Sequence, residues 1–95
     1  MAATTLLNAV TVPTTGTGVA ITGDVEFQVD GDMGLGEMLI ERSIDDVDAN
    51  YRLVGVKGRF RGPGLVAVRN VGQNYYRARL AGCKKAANAT ARAIQ

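Results

Sequence analysis

The sequence predicts an all-β fold: one small antiparallel β-sandwich, jelly-roll or immunoglobulin-like, of about seven or eight short strands. Three observations predict it. Turn-forming clusters punctuate the chain at TTGTG (14–18), DGDMGLG (30–36), DDVDAN (45–50), GPG (62–64), VGQN (71–74) and GCKK (82–85). The runs between them are short, apolar-rich and repeatedly alternating, the sign of strands with one buried face. The chain has 95 residues, 46% hydrophobic and 21% charged, with no linker-like stretch, which suits one globular domain with a modest core.

The elements follow in order. Residues 1–9 read as an N-terminal arm to a domain spanning 1–95. TGTGVAITG opens the first strands. DVEFQVD (24–30) alternates cleanly, with Val25, Phe27 and Val29 inward and Asp24, Glu26, Gln28 and Asp30 outward. EMLIERSIDDV (37–47) has two readings. Ile40, Ile44 and Val47 fit a helical stripe, whereas Met38 and Ile40 opposite Leu39 and Glu41 fit a strand, and the surrounding turns favour the strand. YRLVGV (51–56) and GLVAVRN (64–70) continue the pattern, the latter with Val66 and Val68 on one face. In QNYYRARLAG (73–82), Tyr76, Ala78 and Leu80 share the core face, and Tyr75, Arg77 and Arg79 share the outer one. The last segment, KKAANATARAIQ, is Ala-rich, which favours helix. It also alternates Ala89, Ala91 and Ala93 against Thr90, Arg92 and Ile94, and the context again favours a strand.

Charge is divided along the chain. All nine acidic residues lie between Asp24 and Asp48, and every basic residue but Arg42 lies from Arg52 onward, so the net of +2 conceals a bipolar sequence. Acidic and basic strands can pair across one sheet, or a two-signed surface can dock on copies of itself or on an oppositely charged neighbour.

Motifs for catalysis are thin. The chain has no His, which excludes most triads and most catalytic zinc sites. Ser43 is the only serine and has no base in its sequence neighbourhood. Cys83, beside Lys84 and Lys85, is a single cysteine, so no intrachain disulfide forms, and it reads as a small buried residue. Asp46, Asp48 and Asn50 have the spacing of three calcium ligands. Tyr51 stands where glycine is needed and Lys57 where the bidentate Glu belongs, so DVDAN reads as a solvated acidic turn. The expectation is a non-enzymatic protein without cofactor or metal. No run approaches the ~20 apolar residues of a membrane span, and the N-terminus lacks a signal-peptide pattern, so a soluble chain made in the cytoplasm is expected.

KGRFRGPG sets Arg59 and Arg61 opposite Phe60. With Arg77 and Arg79 they form a candidate basic stripe carrying Tyr75. Single-strand nucleic-acid binders combine such a groove with stacking aromatics. Here Phe27, Phe60 and Tyr76 are expected in the core, which makes a nucleic-acid partner the lesser reading.

LIERSIDDVDANYRLVGVKG resembles the central hairpin of small bacteriophage virion β-sandwich domains. The match runs through Glu41 and Ser43, Asp45 to Asn50, then Tyr51, Leu53 and Val54. GPGLVAVRNVGQNYYRARLAG resembles their next hairpin through Tyr76, Arg77, Arg79 and Leu80, and TGTGVAITGDVEFQV fits their opening strands. The chain departs at Tyr51, where Trp is frequent, and in its Ala-rich last strand. The resemblance spans about residues 10–95 and implies a virion structural role. A chain this short fits a capsid decoration (cement) protein on the outside of the shell. The implied partners are the major capsid protein and copies of itself, as a trimer or dimer. A head-fibre or tail adaptor, with glycan as a possible ligand, is the alternative, and a nucleic-acid-binding β-domain the second. The implied partner interface is Arg59, Arg61, Tyr75, Arg77 and Arg79.

Overall fold

The computed structural model describes residues 2–95. Its extended segments are β1 (Ala3–Val10), β2 (Thr14–Thr15), β3 (Val19–Thr22), β4 (Val25–Asp32), β5 (Glu37–Ser43), β6 (Arg52–Leu53), β7 (Arg59–Phe60), β8 (Gly64–Val68), β9 (Gln73–Ala81) and β10 (Asn88–Ile94). One sheet, A, has the order β1-β10-β4-β8. The other, B, has β2-β9-β5-β6, with β3 also on β9 and β7 also on β5. Every pairing is antiparallel. β2 and β3 are two halves of one edge strand, as are β6 and β7. Counted so, eight strands lie in two four-stranded sheets in the order 1-8-3-6 and 2-7-4-5, the jelly-roll order, and the sandwich prediction holds.

The strands form where alternation supplies an apolar face. On β4, Val25, Phe27 and Val29 are buried, and on β10, Ala89, Ala91 and Ala93 are buried. Across the sandwich stand Met38 and Ile40 of β5 and Tyr76, Ala78 and Leu80 of β9. The small Ala face of β10 lets the larger side chains opposite fill the space between the sheets. Phe27 and Tyr76 meet at a centroid distance of 5.1 Å. The buried Tyr76 hydroxyl donates to Asn70 Oδ1 at 2.9 Å, and the Asn70 amide donates to the Ile21 and Gly23 carbonyls at 3.0 Å. One polar side chain thereby closes that end of the core.

One expectation is corrected here. The N-terminal arm is a strand: Ala3–Val10 pairs with β10, while residue 1 of that arm lies outside the described residues. Thr4 and Thr5 with Leu6 and Leu7 give it β-propensity and an inward anchor, so it adds to the sheet rather than leaving it. The strand reading of the 37–47 segment holds over Glu37–Ser43, and the alternative helical stripe does not form: Ile40 is buried, while Ile44 and Val47 face solvent. Among the described residues no helix is long and apolar enough to cross a membrane.

Candidate partner interface

The outer face of sheet B gathers three arginines, Arg59, Arg77 and Arg79. Antiparallel register sets Glu41 of β5 opposite Arg77 of β9, and Leu39 opposite both Arg79 and Arg59. Arg77 Nε donates to Glu41 Oε1 at 2.9 Å, and Arg79 Nη2 donates to Glu41 Oε2 at 3.2 Å, so one carboxylate bridges two arginines. Both side chains were 36 or more residues distant in sequence from their common acceptor. Arg59 Nη1 pairs with Glu37 Oε1 at 3.0 Å, and Arg92 pairs with Asp30 on sheet A at 3.4 Å. The acidic half of the chain thus neutralises much of the basic half across the strands.

The segment between β5 and β6 folds back over this face. The Ser43 hydroxyl donates to Asp45 Oδ1 at 2.7 Å, which leads a hydrogen-bonded turn and holds the Asp45 carboxyl below its ordinary pKa. Asp46 takes a left-handed backbone (φ 58°), and its carboxylate accepts from the Tyr51 hydroxyl at 2.6 Å. The Tyr51 ring then lies beneath the Arg77 guanidinium, 4.0 Å from its centroid, a cation–π stack. Asp48 is the third partner, accepting from Arg77 Nη1 at 2.8 Å. Gly18, between β2 and β3, leaves room for this contact, since a side chain there would displace the Tyr51 hydroxyl and the Asp46 carboxylate.

The expectation of an exposed Arg77 is therefore corrected: only 9% of the residue is accessible. Burial works against its charge, but the hydrogen bonds and charges of Glu41 and Asp48 outweigh it and hold the guanidinium more firmly protonated than usual. Tyr51 is buried with it, and burial followed by the Asp46 carboxylate raises its phenol well above the ordinary value. Tyr76, Ala78 and Leu80 are core, as expected. Tyr75 and Arg79 are half-buried, and Arg59 and Arg61 are exposed. The structure does not bring the five residues into one open stripe. Arg59, Arg77 and Arg79 already hold carboxylates, which weakens the case for a phosphate track. The 45–50 turn is exposed, as expected for a solvated acidic turn, though Asp48 is engaged by Arg77.

A different feature went unread in the sequence. In the turn between β4 and β5, Leu35 is 70% exposed and has a left-handed backbone (φ 65°). Leucine seldom adopts that conformation. Beside it, with Gly36, Arg61, Ala81 and Gly82, lies a shallow depression floored by Glu37. Glu37 Oε2 is buried without a hydrogen-bond partner among the described residues. Arg61 makes no ion pair among the described residues. The one available sequence signal was the apolar Leu35 between two glycines of a turn.

No family model, curated protein or solved structure matches this chain.

Proposed function

We propose that the chain is a non-enzymatic bacteriophage structural protein, a decoration (cement) protein on the outer capsid surface. Its partners are the major capsid protein and further copies of itself, as a dimer or trimer, and it reaches the virion from the host cytoplasm. The observation that carries the reading is the incomplete surface around Leu35. An apolar side chain stands in the open on a costly backbone conformation, beside a buried carboxylate oxygen with no donor and an uncommitted arginine. A buried acceptor left unpaired costs about 1–3 kcal/mol, and a partner that supplies an N–H and an apolar patch recovers it. Arg59 and Arg79 flank the depression on the same face as polar rim, which is how interfaces surround their anchors. A closed two-sheet core gives such anchors a stiff base.

The test is co-sedimentation with empty capsids assembled from the shell protein of the same genome. Leu35→Ser combined with Arg61→Glu is expected to keep the fold, by far-UV circular dichroism, and to abolish binding. Undiminished decoration by the folded variant overturns the assignment. Attachment to isolated tails rather than shells identifies the adaptor alternative, and retention on oligonucleotides that weakens steeply with salt identifies the nucleic-acid alternative.

A further inference from the structure

A jelly roll leaves four strand edges, each a row of unpaired N–H and C=O groups that natural proteins blunt. Three edges here are blunted. β1 is broken by register shifts between Thr5 and Leu7 and between Leu7 and Val10, with Ala9 in a left-handed conformation. The edges of sheet B are split into β2 and β3 on one side and β6 and β7 on the other. β8 is different. Its pairing with β4 is unbroken from Val25↔Val68 to Val29↔Gly64, and its sequence, GLVAV, carries no charge and no proline. Its other side pairs with no strand among the described residues.

The surface beside that edge is apolar. Leu65 is 62% exposed on the outer face, and Val56, at the tip of the segment between β6 and β7, is 85% exposed. A groove beside β8 is lined by Val54, Val56, Val66 and Val68 together with Lys57 and Arg69. Exposed valines that continue an open apolar edge form a patch rather than scattered single residues.

We propose that β8 is the self-association edge of this protein. It pairs antiparallel with β8 of a second copy about a twofold axis at Val66 and joins the two A sheets into one. The occupant is argued from the pattern itself. In that register Leu65 faces Ala67 of the partner copy and Gly64 faces its Val68, so an apolar strip meets an apolar strip. The nearest charges along the strand itself, Arg61 and Arg69, fall opposite Val71 and Pro63 of the other copy, so the strand opposes no like charges across the twofold. A twofold contact of one strand with itself closes on two copies and leaves no further edge to propagate. This goes beyond the shell-binding reading, since its contact residues are different and it is measured without capsids.

The test is sedimentation equilibrium across a wide concentration range, with variants that probe the register. Leu65→Lys with Ala67→Lys sets like charges across the twofold, and dimerisation is expected to weaken at least tenfold. Leu65→Lys with Ala67→Glu sets opposite charges across the same positions, and the dimer is expected to persist. Amide hydrogen exchange of the unaltered protein gives a reading independent of any variant: protection at residues 64–68 is expected to rise with concentration, while that at residues 3–10 stays constant. A wild-type protein that remains monomeric, equal dimerisation of the two charge variants, or concentration-independent exchange along β8 overturns the proposal.

Discussion

β4 and β5 occupy the same place in their respective sheets, third in order, yet they are buried differently. β4 hides Val25, Phe27 and Val29 and shows the residues between them to solvent or near it. β5 hides Met38 and Ile40 on one face and Leu39, Glu41 and Ser43 on the other. The cause is the 44–51 segment, which covers the outside of sheet B, whereas the outward residues of β4 stay partly or fully exposed. Sheet A is built on one apolar core. Sheet B has that core inside and a second, charge-paired layer outside, with Arg77 at its centre between Glu41, Asp48 and Tyr51. The apolar layer stabilises by burial alone. The ionic layer stabilises only while every partner is present, since each buried charge depends on its neighbours.

That contrast can be broken first by removing one member from each layer. Phe27→Ala is expected to cost about 3–5 kcal/mol, as for buried aromatic truncations. Glu41→Ala is expected to cost about 3–5 kcal/mol as well, because it strands the Arg77 guanidinium. Urea unfolding measures both. The layers separate on rescue: Glu41→Leu combined with Arg77→Leu should return to within about 1 kcal/mol of wild type, as apolar replacements of buried pairs do. A double variant as unstable as Glu41→Ala would show that the outer layer depends on its charges as such.

Smaller effects sharpen the picture. Tyr51→Phe keeps the ring under Arg77 and loses only the bond to Asp46, for about 1 kcal/mol. It also tests the alkaline limb. The Tyr51 and Tyr76 phenols are both raised from 10.0, chiefly by burial. A raised pKa gives stability that is complete below the unfolded value and is lost as pH rises toward the folded one. Unfolding and tyrosinate absorbance should therefore rise together above pH 10, and Tyr51→Phe should make the loss of stability less steep. At the bottom of the scale, Arg92→Ala on the open face of sheet A should change stability by no more than about 0.5 kcal/mol, since its pair with Asp30 is exposed at both ends.

The sequence was legible where one strand has one dry face. The alternation at 24–30 and the alanines of 89, 91 and 93 identified β4 and β10, and the inward set of β9 was equally plain. Arg77 was misread because alternation says which face a residue takes, not what later covers that face. Its cover comes from DDVDAN, whose composition is that of a solvated turn and whose inward fold depends on contacts made 29 residues along the chain. The separation of acidic and basic halves did carry the signal, since Glu41 and Arg77 meet across adjacent strands. The depression at Leu35 was hidden for a related reason: Glu37 meets Arg59 of β7 and pairs with Ala81 of β9, residues 22 and more positions away in sequence.

The pairings nest, β5 with β6 and β7 at the centre, β4 with β8, β3 and β2 with β9, and β1 with β10 outermost. The chain is one long hairpin rolled on itself, and its innermost turn is the 44–51 segment. Pairing nearest that turn closes the smallest loop, while β1 and β10 must wait for almost the whole chain to be in place. The segment that shields Arg77 in the finished molecule is thus also the turn whose flanking strands have the least chain to close. In stopped-flow measurements a lesion there is expected to slow refolding, whereas a lesion in β1 is expected mainly to hasten unfolding.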